Sequence, residues 1–460
     1  MRRFDPTEVM PMEMVICLEL TVKIEGDRTN VDEIFVAVGE AMKKASGAMA
    51  RSVIEGYQER IVEVLCGPSG RVAKKGLGSH EVKREEGCRC PGRRFHRAGY
   101  WSDLRQLRGP ECVAEFHPAM VQCLRCGKRL TPILEALKLE PYQGRSDVLL
   151  RVVTESVAET SYRRGSDQME VHGEVPVPKS TAHRWVAEVQ LPVQEGRGLP
   201  ILGGDGTGFK RQPGERGEVR LMLEIGENGE LHPLGVWAGA TWEEISHEVR
   251  DRLAGQVPMF ISDGERGLEH WLGELAGEQG RCHWHFSRDA GFALWQDGVS
   301  LEERKRITGR LGRLVAIEVP EESIEVVSEE QKEDIRHRMK SAEAELDRLE
   351  RDFTTKGHQK AATYVANAKE RLFGHLRLWL RTGIVCPRTT SIIENLIREL
   401  VRRLKKIGWN WSDAGAERMG RIVMIRRYDP EAWEDYWRER MKLQGRCQIE
   451  LTNCQTRRVA

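Results

Sequence analysis

Three carboxylates stand where they could do acid chemistry together: Asp205 in "ILGGDGTGFK", Asp263 in "FISDGERG" and Glu394 in "TTSIIENLIREL". Two acids near the ends of buried strands and a third on a later helix can converge on one edge of a parallel sheet. Carboxylates brought that close repel one another unless divalent cations lie between them. Two Mg²⁺ (or Mn²⁺) ions roughly 4 Å apart would activate an attacking oxygen on one side and stabilise a leaving oxygen on the other, which suits phosphodiester chemistry. Each acid also has a purely structural reading. Asp-Gly is a hairpin-turn dipeptide, which would account for Asp205 and Asp263. Ser391-x-x-Glu394 has the spacing of a capping box.

A second set of residues has metal-ligand spacing. In "CRC" and "CLRCGK", Cys88 with Cys90 and Cys123 with Cys126 are close enough for both thiolates of each pair to reach one ion, and Gly127 permits the tight turn of a zinc knuckle. Four sulfurs would make one structural Zn²⁺ site. Cys112, His96 and His117 are substitute ligands, and buried or incidental thiols are the alternative.

The elements that must position these groups follow from periodicity. Residues 1–70 form an N-terminal helical region and 71–140 a Cys/Arg-rich segment. Over 141–195 three short helices follow one another, the first with Leu149, Val152, Val153 and Val157 in a stripe and the last opening at Pro178. Because that last helix carries Lys179, His183 and Arg184, the trio is expected to be a helix-turn-helix whose final helix enters the DNA major groove; a helical linker bundle is the plainer alternative. From 196 to 300, "LPILGGDGTGFKRQ", "GEVRLMLEIGENG" and "ELHPLGVWAGA" read as strands, "TWEEISHEVRDRL" as an amphipathic helix and "VPMFISD" as a buried strand. A further strand-like run carries Cys282 and His285. Strand, strand, strand, helix, strand is the order of an α/β ribonuclease-H-like core. Over 301–380 apolar stripes at Ile335, Met339, Ala342, Leu346, Leu349 and Phe353, then at Ala361, Val365, Ala368, Leu372, Leu376 and Trp379, predict a helical insertion folded as an antiparallel hairpin. The core resumes over 381–440 on the Glu394 helix, and 441–460 is a tail.

Composition bounds the partners. A chain of 460 residues is long enough for about three domains. Its 40% hydrophobic and 31% charged residues describe a soluble globular protein. No apolar run approaches the roughly 18 residues of a membrane span, and the start lacks a secretory pattern, so an intracellular location is expected. Eleven cysteines at irregular spacing fit reduced thiols. The net charge of +1 averages over unequal regions, because residues 71–110 hold eleven Lys and Arg against four Asp and Glu. Arg398, Arg402, Arg403, Lys405 and Lys406 form another cluster on one predicted helix, with Trp409 and Trp411 following in "GWNW". Two separated basic regions suit a polyanion held at two places, and rings beside cations can stack on exposed bases. Solvated helix faces and core-filling indoles are the competing readings.

Taken in order, "DGTGFK" at Asp205, "SDGERGL" at Asp263, the Cys-x-x-His of "RCHWHF" and "SIIENLIRELVRRLKKIGWNWSDAGAERM" resemble the acidic-triad transposases with a ribonuclease-H-like catalytic domain. The similarity is in particular to the Mutator-like clan and its bacterial insertion-sequence relatives, and it covers about residues 143–428. It implies that Asp205, Asp263 and Glu394 ligate the catalytic metals and that Cys282 and His285 belong to a signature beside the site. The "GG" before Asp205 departs from the larger strand residues of that family. The expected function is a DNA transposase that binds terminal inverted repeats, cleaves DNA ends with metal-activated water and transfers the 3′-hydroxyls to target DNA. It would act as a homodimer or larger synaptic assembly in the prokaryotic nucleoid, with no covalent protein intermediate. A ribonuclease-H-fold nuclease without strand transfer and a non-catalytic transposase-derived DNA-binding protein are the alternatives.

Overall fold

A computed structural model describes residues 12–17, 31–67, 90, 95–140, 142–171, 175–212, 214–320, 323–407, 410–443 and 447–450. Cys88 and Trp409 lie outside these residues. The chain divides into two compact units, residues 1–157 with 162–186, and residues 158–161 with 187–460.

The first described helix of the first unit is the 36-residue α1 (Val31–Cys66). Its C-terminal half buries Gln58, Ile61 and Val62 against two small sheets, built from β1 (Phe95–Tyr100), β2 (Arg105–Arg108), β3 (Val113–Phe116), β4 (Ala119–Cys123) and β5 (Arg129–Leu130). β1, β4 and β5 make one antiparallel sheet and β2 with β3 the other. Gln58 ties the helix to the strands by donating to the His117 carbonyl (3.1 Å) and accepting from the Ala119 amide (2.8 Å), so its buried amide is satisfied at both ends. Helices α2 (Pro132–Ala136), α3 (Asp147–Glu159), α4 (Tyr162–Val171) and α5 (Lys179–Val186) follow. The stripe that predicts α3 is buried at Leu149, Val153 and Val157.

The second unit is built on one five-stranded sheet. Strands β6 (Ile201–Lys210), β7 (Arg216–Ile225) and β8 (Leu231–Ala238) run as an antiparallel meander; α6 (Trp242–Arg250) crosses to β9 (Val257–Ser262), and α7 (Arg266–Gly273) to β10 (Ala276–Arg281). β9 pairs parallel with β6 and β10 parallel with β9, giving the order β10-β9-β6-β7-β8. The apolar run of β9 is buried almost throughout, as a strand covered on both faces must be. On one face α6 and α7 pack Trp242, Ile245, Val249, Leu268 and Leu272 onto Leu202, Met222, Leu234 and Phe260. A capping box of Thr241 and Glu244 starts α6.

The helical insertion comprises α8 (His283–Gln296), α9 (Leu301–Val315), α10 (Glu329–Thr355), α11 (Gln359–Ala368) and α12 (Gly374–Thr382), with a core of its own that includes Phe286, Leu311, Leu346, Val365 and Trp379. The expected partner helix of the hairpin is therefore two helices, because a 3-10 turn at Lys369–Arg371 breaks it. The last described elements are α13 (Ser391–Val401), a six-residue π-helix (Arg402–Ile407), α14 (Asp413–Tyr428) and α15 (Pro430–Met441).

Candidate active site

Asp205 lies in the middle of β6, opposite Leu221 of β7, rather than at a strand end or in a hairpin turn. The parallel register Gly203↔Ile261, carried on two residues, sets Asp205 level with Asp263. Asp263 stands just past the end of β9, where the chain turns through Gly264 at φ +104°. Its Oδ1 accepts from the Glu265 amide at 3.0 Å, so it shapes that turn as well as facing Asp205.

The third acid arrives from α13, which packs on β6. Here the two glycines before Asp205 acquire a physical reason. A Cβ at Gly203 would lie 2.6 Å from Ile393 Cδ1, and one at Gly204 2.8 Å from Met222 Sδ and 3.2 Å from Leu268. A larger residue at Gly203 would push on the Glu394 helix, and one at Gly204 on the side-chain ends of β7 and α7, so either change would require local repacking. The capping-box reading of Glu394 fails, because α13 starts one residue earlier, with Thr390 at its N-cap. Glu394 Oε1 instead accepts from the Thr390 hydroxyl at 3.3 Å.

Cys282 and His285 are not on a strand. β10 stops at Arg281, Cys282 caps α8 and His285 sits in its first turn, because the Cys282 amide makes its last sheet bond to the Ser262 carbonyl (2.8 Å) and the helix starts there. His285 Nδ1 lies 3.3 Å from Thr390 Oγ1 and 3.9 Å from Glu394 Oε1. The Thr390 amide donates to Cys282 Sγ (3.4 Å). With the Thr390 hydroxyl proton given to Glu394, His285 Nδ1 carries the proton that Thr390 accepts. Thr390 is thus the link between the Cys-x-x-His pair and the third acid, a role that nothing in "RTTSII" signals beyond a residue suited to starting a helix.

The charges are mutually felt. Burial raises the Asp205 carboxyl to about 7, helped by the negative charges of Asp263 and Glu394 and opposed by the Gly206 amide, which donates at 2.6 Å, and by His285. For His285, burial pulls the imidazole down, but its hydrogen bond to Cys282 and the charges of Cys282 and Asp263 win and leave it above its ordinary value. Burial raises the Cys282 thiol, yet its bonds with His285 and Thr390 bring it below the usual thiol range. The arrangement is a half-buried acid pair with a third carboxylate beside it and one imidazole drawn toward its charged form.

The basic residues divide. Lys179, His183 and Arg184 are exposed on α5, whose other side buries Ala182, Trp185 and Val186. In the second unit Lys405 and Lys406 are exposed, and Lys405 Nζ donates to Thr207 of β6 at 2.7 Å. Arg402 and Arg403 correct the expectation of an outward cluster. Arg403 is 1% exposed, with its guanidinium 5.0 Å from the Trp411 ring, and Arg402 pairs with Glu399 at 2.9 Å. The π-turn winds these residues more widely than an α-helix would and swings Arg403 inward. Trp411 is buried, donating its indole N–H to the Leu404 carbonyl (3.1 Å), so it fills the core and cannot stack on a base.

In the first unit, Cys90, Cys123 and Cys126 bring their sulfurs within 4.8 Å of one another and could hold a metal ion. Among the described residues they are the one group of three such ligand atoms this close, and the three carboxylates are spaced more widely. The turn between β4 and β5 makes the approach possible: the Gly127 amide bonds the Cys123 carbonyl and the Cys123 amide the Lys128 carbonyl, both at 2.9 Å, with Gly127 at φ +71°. His117, whose Nδ1 lies 3.1 Å from the Trp101 carbonyl, is not one of the three ligand atoms that come together.

No protein-family model matches this chain, and no curated protein matches it. No described helix is long and apolar enough to cross a membrane.

Proposed function

We propose that the protein is a DNA transposase whose second unit is a ribonuclease-H-like catalytic core interrupted by a helical insertion. The observation that carries the reading is the meeting of Asp205, Asp263 and Glu394 from two parallel-paired strands and one helix, with Asp205 driven to about 7 by burial and by its acidic neighbours. An acid cluster that its own fold leaves under-neutralised is a fitting cradle for hard divalent cations, which oxygen ligands prefer. Asp205, Asp263 and Glu394 would hold Mg²⁺ or Mn²⁺. Bound there, two such ions supply activation of the attacking oxygen and neutralisation of the leaving one.

The chain's own residues supply position and charge. Gly203 lets α13 lie close on β6, and Thr390 with His285 orients the Glu394 carboxylate. Lys405, bonded to Thr207 two residues beyond Asp205, places a cation where a phosphate backbone would pass. The exposed Lys179, His183 and Arg184 of α5 would grip the element's terminal inverted repeats, and two such ends call for a homodimer or larger assembly. In the first unit Zn²⁺ is the ion that suits Cys90, Cys123 and Cys126, because soft thiolates select it over Mg²⁺.

The experiment is cleavage of a labelled duplex carrying the inverted repeats that flank the gene, run beside a binding assay and a thermal melt. Asp205→Asn, Asp263→Asn and Glu394→Gln should each fold and bind DNA but lose Mg²⁺-dependent cleavage and strand transfer, since an amide carries no charge to hold the cation. Near-normal cleavage by all three would overturn the reading. Cleavage by the native protein without joining of ends to a second duplex would make it a nuclease instead.

A further inference from the structure

Beside the acids, α8 and α9 share a buried inner seam of Phe286, Ala290, Leu294, Ile307 and Leu311, while their outer faces part to leave a groove of about 490 Å³. That volume is within the range of small-ligand pockets. Its α8 wall carries two aromatic rings in solvent, Trp284 at 54% and Phe292 at 56% exposure. Arg288, one turn on from Trp284, holds its guanidinium 4.9 Å from that indole ring. The α9 wall carries Arg304 and Lys305. Two polar atoms lining the groove, Arg304 Nε and Ser287 Oγ, are buried with no hydrogen-bond partner. A buried donor left without an acceptor is costly, and water or a ligand in the groove would complete these two.

We infer that this groove binds an unpaired nucleotide of single-stranded DNA, its base stacked on Trp284 and Phe292 and its phosphate held by Arg304 and Lys305, with Ser287 beneath. The chemistry selects the occupant. Exposed rings interleaved with cations are the stacking-and-charge combination that single strands use, and every base has a face to stack. In a duplex the bases already stack on each other and cannot reach the rings. An apolar protein helix would have to bury Arg304 and Lys305 without a counter-charge. The groove also continues the site, since Trp284 precedes His285 on α8 with their rings 4.8 Å apart, and Arg288 feels the charge of Asp263. A strand frayed next to the bond being cut would thus be kept from re-pairing. That role rests on the function proposed above, whereas the binding itself does not.

The test is fluorescence anisotropy with a labelled oligothymidylate of about ten nucleotides and a duplex of the same length, in chelator so that no cleavage enters. Trp284→Ala should weaken single-strand binding about tenfold, the loss expected from one base–ring stack. Trp284→Phe should restore most of it, and Lys305→Glu should weaken it and flatten its salt dependence. Duplex affinity should change little, and a thermal melt checks that the exposed substitutions leave the fold intact. Single-strand affinity unchanged in both Trp284→Ala and Lys305→Glu would overturn the inference, even if the native protein cleaves repeat DNA. Loss of single-strand binding in these variants from a protein that cleaves nothing would support the groove and remove the transposase reading. A shift in monomer–dimer equilibrium with strand binding unaltered would assign the groove to protein contact and overturn the inference.

Discussion

Asp205 sits under opposing demands that make it the most informative single residue. Burial and two acidic neighbours hold its proton to about 7, while the Gly206 amide and His285 favour the charged form. Its folded value is raised above the unfolded one, so it stabilises the fold most at low pH, and that contribution is lost as pH rises through about 7. A divalent cation would compete with that proton. We therefore expect the Mg²⁺-induced rise in melting temperature to be small near pH 6 and larger near pH 8, with Asp205→Asn removing both the rise and its pH dependence. Thermal melts in Mg²⁺ and in chelator at the two pH values check this. A rise of equal size in native protein and Asp205→Asn would place the ion elsewhere.

Among the elements, two close approaches carry the architecture. The N-terminus of α12 passes so near β10 that a Cβ on Gly374 would fall on the backbone carbonyl of Gln279, which cannot rotate away as a side chain could. Gly374→Ala should therefore cost about 1–3 kcal/mol, as overpacking does, measured by denaturant titration; a cost near zero would mean that α12 slides freely on the sheet. In the first unit the β4–β5 turn presents Cys123 and Cys126 toward Cys90. Purified protein is expected to carry about one zinc ion per chain. Cys126→Ser should abolish it by elemental analysis and expose the first unit to limited proteolysis. Metal-free native protein as resistant as the loaded form would remove the structural role.

For the molecule as a whole, acid sensitivity should arise from a pair of buried rings, His283 and His375. Burial lowers His283 to about 4, against a bond to the Leu372 carbonyl, and lowers His375 to about 3, with repulsion from His283 adding to it. Their rings pack edge to face, 5.0 Å apart. Below the unfolded value of about 6.5 the denatured chain takes up protons that the folded rings refuse, so stability falls as pH drops. Between about pH 7 and about pH 5 the loss is on the order of 2 kcal/mol for each ring. Melting of the second unit should follow this course, and His375→Gln should flatten it. An unchanged slope in that variant would show that other groups govern acid unfolding.

Much of this was legible in the chain. Buried strands announce themselves as apolar runs and helices as spaced stripes, so the meander, β9, α6 and the long α10 could be read from local pattern, which depends only on which face a residue must hide. The three acids could be singled out only as candidates, by residue type, order and the resemblance they carry, and the cysteine pairs because ligand spacing is local. What pattern could not supply was which way a side chain turns once the chain is packed. The register of β6 on β9 brings Asp205 and Asp263 level, Gly203 lies close under α13, and Thr390 joins Glu394 to His285, all through contacts between distant segments. A π-turn hides Arg403 and with it Trp411, although "VRRLKKIGWNW" reads as an outward basic cluster and leaves Trp411 open between stacking on a base and filling the core. The start of α8 at Cys282 was equally hidden, because "RCHWHF" suits strand or helix and only the last sheet bond to Ser262 decides between them. Local periodicity determines what an element is; hydrogen bonding and packing across the sheet decide which of its residues meet.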